Sequence, residues 1–132
     1  YRQPDFEKAA EVYRKARELG APALTARKEF YALARVPSKS REALKLGKEL
    51  FKDPRNRVPS LVTNIFVLEN RLHVPEKDRI PFRELYPTDE IARDMMTAHL
   101  ANSLRYPVDG LRETLESLPE ANPDDPAPDG KD

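Results

Sequence analysis

Asp5-Phe6-Glu7-Lys8-Ala9-Ala10-Glu11-Val12-Tyr13-Arg14-Lys15-Ala16-Arg17-Glu18-Leu19 is the stretch whose reading decides the fold. Its apolar residues Phe6, Ala9, Ala10, Val12, Tyr13, Ala16 and Leu19 recur at steps of three and four, the period of a helix with one inward face. Asp5 is suited to accept a hydrogen bond from the first turn, and Gly20-Ala21-Pro22 stops the helix. Ala9-Ala10 returns in phase 34 residues later as Ala43-Leu44, and Leu111 falls two such steps further on. A fixed period of this length marks a helical repeat, in which each helix pair buries its apolar face against the next.

Outward from this stretch the chain reads as a succession of helices. Leu24, Phe30, Tyr31, Leu33 and Ala34 make a second apolar stripe over residues 24–36, closed by Pro37-Ser38. A third helix starts near Ser40, carries Ala43, Leu44, Leu46, Leu50 and Phe51, and ends at Asp53-Pro54-Arg55-Asn56. Pro59-Ser60 opens a fourth over residues 61–72, where Leu61, Val62, Ile65, Phe66, Val67 and Leu68 are apolar over too wide an arc for a surface helix. That places it at the centre of the stack. A β-strand over residues 62–68 is the alternative, because β-branched residues cluster there, although the pattern does not alternate. From His73 to Pro87, Pro75, Pro81 and Pro87 leave room for one helical turn at most. Thr88 then caps a long helix with Asp89 and Glu90 in its first turn. Ile91, Ala92, Met95, Met96, Leu100 and Leu104 supply its buried face, and Pro107 starts a last helix through Leu111, Leu115 and Leu118. Residues 119–132, dominated by Pro and Asp, hold too little apolar surface to offset ordering entropy and are expected to form a flexible tail. The expected organisation is one helical-repeat domain over residues 1–118, broken by an irregular insert at 73–87, and then the tail.

The stretch 5–19 resembles the second helix of a tetratricopeptide repeat, with Ala9, Tyr13 and Ala16 in the small, aromatic and small slots of that family. Ser40 to Pro54 looks like the same helix one period on, proline included, and residues 109–115 with Ala121-Asn122-Pro123-Asp124-Asp125 look like another copy. The first-helix slots hold Arg27, Phe30, Tyr31 and Ala34, then Leu61, Asn64, Ile65 and Leu68, so size and apolarity are kept while the family's residue types are not. Gly47 stands where the family has an aromatic, and the phase beginning at Lys77 falls in the proline-broken insert. The resemblance implies a degenerate, all-α solenoid of stacked antiparallel helix pairs over residues 1–125. A generic helical bundle or another alpha solenoid is the alternative. Its concave groove would be lined by Lys28, Ala32 and Arg35, by Val62, Phe66 and Glu69, and by Met96 and Leu100. Such a groove takes a peptide or a partner helix. Some members clamp a terminal carboxylate with Lys and an Asn four residues on; here Ala32 follows Lys28, so that clamp is not supported. Because the sequence opens within a repeat unit, it is expected to belong to a longer protein or a larger assembly.

Composition narrows the function further. Formal charge is zero, yet residues 1–59 hold 15 Lys and Arg against 8 Asp and Glu, and residues 60–132 hold 8 against 15. The basic residues Lys39, Arg41, Lys45, Lys48, Lys52, Arg55 and Arg57 raise a second reading, contact with nucleic acid, which the balancing acidic half weakens. A third is a regulatory or assembly region of a multidomain enzyme. The absence of Cys removes disulfides, thiolate zinc sites and thiol nucleophiles. His73 and His99 are 26 residues apart, outside metal-ligand spacing, and the four isolated glycines build no phosphate loop. No catalytic residues, cofactor or metal are expected. No apolar run approaches the roughly 20 residues of a membrane span, and the compartment is not legible. Within the insert, Arg79, Phe82, Arg83 and Tyr86 have the aromatic-plus-arginine composition of an interface hot spot; the other reading is that Phe82, Leu85 and Tyr86 fold down over the fourth helix. Met95-Met96 reads either as adaptable binding surface or as core.

Overall fold

The computed structural model describes residues 5–119, and every regular element among them is helical. The seven α-helices are α1 (Phe6–Glu18), α2 (Ala23–Ala34), α3 (Ser40–Phe51), α4 (Pro59–Arg71), α5 (Phe82–Leu85), α6 (Asp89–Ala101) and α7 (Leu111–Ser117), with short 3-10 turns at Pro37–Lys39, Pro54–Asn56 and Glu76–Asp78. The start signals act as read. Asp5 Oδ1 accepts from the Lys8 amide at 2.9 Å, Thr88 Oγ1 accepts from Ile91 at 3.1 Å, and Pro59 occupies the first turn of α4, where a missing N–H costs nothing. The β-strand alternative for residues 62–68 is not realised. The tail expected over 119–132 lies, apart from Pro119, outside the described residues.

Consecutive helices pack on one another: α1 on α2, α2 on α3, α3 on α4. The first pair runs antiparallel, since Phe6 at the start of α1 meets Arg35 just after α2, while Arg17 near the end of α1 reaches Glu29. Skipping one element, α2 also touches α4, and α6 packs on α4 and α7. Helix α4 is the hub, with every residue from Leu61 to Glu69 buried. Its wide apolar arc explains this, because a helix that is hydrophobic around most of its circumference must be covered on most sides.

Gly47 explains how α3 comes so close. A Cβ there would lie 2.6 Å from Phe30 Cε1 and 3.1 Å from Ile65 Cγ1, so the fully buried Phe30 ring fills the space a side chain would take. Phe30 of α2 thus occupies the space beside α3 at Gly47.

The C-terminal half departs from the sequence reading. Helix α6 stops at Ala101, where Asn102 turns its side-chain amide back onto the Ala98 carbonyl at 3.1 Å, a local alternative to further helix. Leu104 is therefore not part of its buried face but fully exposed, and Ile91 is exposed at its other end. Helix α7 begins at Leu111 rather than Pro107, because Gly110 precedes it at φ 79°, a left-handed conformation in which a Cβ would also strike the Asn70 amide at 2.4 Å. His73 takes the same left-handed region at φ 53° after α4, closing the helix with His73 N–H to Asn70 O and Val74 N–H to Glu69 O.

Two outcomes follow for urea denaturation. Gly47→Ala lowers unfolding free energy by about 1–3 kcal/mol, and combining it with Phe30→Leu gives less than the sum of the two losses, since both act on one contact. His73→Gly raises stability by about 0.5–1 kcal/mol, because the left-handed C-terminal position favours glycine; an unchanged midpoint would remove the strain from this account.

Candidate binding surface

The residues of α2 that face away from α3 meet the chain again after α6. Tyr31 and Ser60 share a hydrogen bond of 2.7 Å between hydroxyls, joining α2 to the first turn of α4. Across from them Tyr106 packs edge-on against Tyr31, with centroids 6.3 Å apart, and Arg35 is layered between rings, 4.6 Å from Phe6 and 4.4 Å from Tyr106. The buried His99 lies 5.4 Å from Tyr106, and its Nε2 meets the Pro107 carbonyl at 2.9 Å. Tyr31, Arg35, Ser60 and Tyr106 are half-buried and Lys28 beside them is exposed, so they form a shelf open on one side. Burial pushes the Tyr31 phenol above its ordinary range, which keeps it a neutral hydroxyl.

Of the residues read as partner-facing, Lys28 and Arg35 are on this shelf. Val62, Glu69 and Met96 are closed inside the core, and Phe66 is 8 % exposed; none of them offers a surface in this arrangement. The reason is that α4 is covered from several sides and α6 turns Met96 toward it. The insert residues serve the fold as well. Tyr86 is fully buried and donates to Thr63 Oγ1 at 2.9 Å, with its hydroxyl pushed far up by burial, while Phe66, Phe82 and Tyr86 form an aromatic cluster with centroids 5.2–5.9 Å apart. Arg79 donates to the Val74 and Glu69 carbonyls and to Asn70 Oδ1, Arg83 donates to the Tyr86 carbonyl and pairs with Asp89, and Ile80 N–H reaches Glu69 Oε2 at 3.0 Å. Of the two readings of the insert, folding down over α4 describes Phe82, Leu85 and Tyr86.

Most of the seven basic residues read as a nucleic-acid track are spent on internal contacts. Lys39 pairs with Glu7 and Glu42, Lys48 with Glu69, Lys52 with Glu49 and Arg55 with Asp53, and Arg57 donates to the Phe51 carbonyl over the Phe51 ring. A nucleic-acid track needs cations free for phosphates, and of the seven only Arg41 and Lys45 are without such a contact among the described residues. An open cleft of about 450 Å³ between α1, α2 and α3 is lined by Asp5, Glu7, Lys8, Glu11, Arg14, Lys39 and Glu42 around the buried Glu29. Glu29 is already held by a two-point bond from Arg17, at 2.6 and 3.2 Å. Among the described residues no three His, Asp or Glu converge as a metal site.

Tyr31, Ser60 and Tyr106, with His99 against Tyr106, are the residues that sequence reasoning did not select as partner-facing. Tyr106 lies in the irregular link between α6 and α7, and nothing in the local pattern pairs it with residue 31. Comparison of the chain with protein-family models, with curated proteins and with solved structures yields no match.

Burial is the larger influence on His99 and holds its pKa below the ordinary 6.5, against the smaller opposing effect of the Pro107 carbonyl. The unfolded chain therefore takes up the proton first as pH falls. Stability present above the ordinary value is lost on acidification through the lowered one, at up to about 1.4 kcal/mol per pH unit. His99→Gln, which keeps a donor for Pro107, is expected to flatten the dependence of the urea midpoint between pH 7.5 and pH 5; an equally steep fall in the variant would assign that loss to other groups.

Proposed function

We propose that the chain is a non-catalytic protein-binding domain, a degenerate tetratricopeptide-like array that holds a peptide or partner helix against the shelf formed by α2 and Tyr106. The observation that carries this reading is the shelf itself: Tyr31, Arg35 and Tyr106, brought together from residues 75 positions apart, stay half open beside the exposed Lys28. The sequential pairing of α1 to α4, with α2 also touching α4, supports a stacked array. Aromatic and arginine side chains held in place by packing suit a binding surface, because they offer large contact area at low ordering cost. Chemistry has less support, since the buried His99 is engaged with a backbone carbonyl and the buried carboxylates Glu29 and Glu69 are ion-paired.

The reading is tested on an array of decapeptides of unbiased composition, probed with the wild-type chain and with Tyr106→Ala. A defined subset of peptides is expected to bind and to lose about tenfold in affinity in the variant, the size of one interface anchor. Retention of no peptide, or identical profiles from two chains with the same melting behaviour, would sink it.

A further inference from the structure

Arg27, Tyr31 and Arg35 recur every fourth residue and so form one stripe along α2. The two arginines lie one on each side of Tyr31 in sequence, with Cα atoms about 12 Å apart along the helix axis. Both side chains are half-buried, and the Nε of each is a buried donor with no hydrogen-bond partner. Neither arginine is ion-paired to a carboxylate among the described residues, in a chain that ties Arg17, Lys39, Lys48, Lys52, Arg55, Arg71 and Arg83 to acids. On the facing helix Asn64 is fully buried; its amide N–H donates to the Ser60 carbonyl at 2.9 Å while its Oδ1 has no donor. Ser60 also bonds Tyr31 through its hydroxyl, so α2 and α4 are joined at this point, with Asn64 closed to solvent beside it. Buried donors and acceptors left unmatched are uncommon and cost free energy until a partner arrives.

We infer that the α2–α4 junction is a recognition site for an acidic peptide segment, whose carboxylates are taken by Arg27 and Arg35. This rests on the protein-binding reading above and names the chemistry of the partner. A planar carboxylate matches the in-plane donors of a guanidinium. Arg35 presents its faces to Phe6 and Tyr106, which leaves its Nη groups, though not the buried Nε, for a ligand. A short acidic segment fits better than a nucleic acid. Two arginines flanking one phenol make two anion positions rather than a continuous track, and the surplus of 7 acidic charges in residues 60–132 opposes a long polyanion.

The test is fluorescence anisotropy with three labelled probes: a decapeptide of alternating Glu and Gly, its Gln and Gly counterpart, and a single-stranded DNA decamer. The acidic peptide is expected to bind most tightly. Arg27→Gln and Arg35→Gln should each weaken it by about tenfold, the loss of one charge-assisted contact. Arg41→Gln and Lys45→Gln, on the exposed face of α3, should stay within about twofold. Equal binding of the Glu and Gln peptides, equal losses in the α3 variants, or tighter binding of the DNA would each overturn the inference. Arg35→Gln also removes ring stacking, so thermal melting accompanies each variant. Arg27→Gln, for which no ring contact is found among the described residues, decides the matter if Arg35→Gln unfolds. Should the unbiased array yield only non-acidic binders that depend on Tyr106, the scaffold reading would stand and this inference would fall.

Discussion

Helix α4 must be buried on nearly every side, and that requirement places the rest of the molecule. Every residue from Leu61 to Glu69 is buried, yet Thr63, Asn64 and Glu69 are polar. A buried polar group costs little only when its partners are built around it. Thr63 receives the Tyr86 hydroxyl, and Glu69 receives Lys48 from α3 at 3.3 Å and the Ile80 N–H from the insert at 3.0 Å. The insert is therefore recruited by α4 from two points, an apolar one through Phe66 and a polar one through Glu69. Its prolines break the helical period, and that break lets the chain double back within a few residues.

Arginine is used in three different ways here, and the difference separates scaffold from surface. Arg17 is spent on the buried Glu29, where the charge pair joins α1 to α2, and its guanidinium is held more firmly protonated chiefly by that hydrogen bond. Arg79 is spent on carbonyls and an amide, capping the end of α4 as a multi-donor clip. Arg35 is held by ring faces, which fix its position without consuming its in-plane donors. Only the last mode leaves a charged group both ordered and available, and ordering before binding lowers what association must later spend on entropy.

Much of the local structure was legible in the sequence. The boundaries of α1 to α4 follow from Asp5, Gly20, Pro37 and Pro59, because caps and prolines act through the backbone within a few residues. The central place of α4 follows from its composition. The fates of Glu69 and Arg79 could not be read this way: Glu69 reads as groove-facing and Arg79 as an interface residue of the insert, and only tertiary folding brings Arg79 and Ile80 back onto the end of α4. Gly47, legible in the sequence only as a departure from the family pattern, is explained by the Phe30 ring of α2 that fills the space beside it, a contact between helices that no single-helix pattern records. The shelf was half visible. Lys28 and Arg35 were selected on α2, while Tyr106 depends on where an irregular link happens to return.

That return has a physical consequence for any groove along α2. Residues 102–110 contain no regular element, yet they cross to α2 and fix Tyr106 against Tyr31 and Arg35, anchored by the His99 contact to the Pro107 carbonyl. An open array would leave that face of α2 free along its length; here the link forms a wall beside Tyr31 and Arg35. Because the ring of His99 supports the Tyr106 ring from behind, the wall and the core of α6 share one buried imidazole. Charging that imidazole would act on the shelf and on the fold together, which ties the geometry of the proposed binding surface to the packing of a helix on the far side of it.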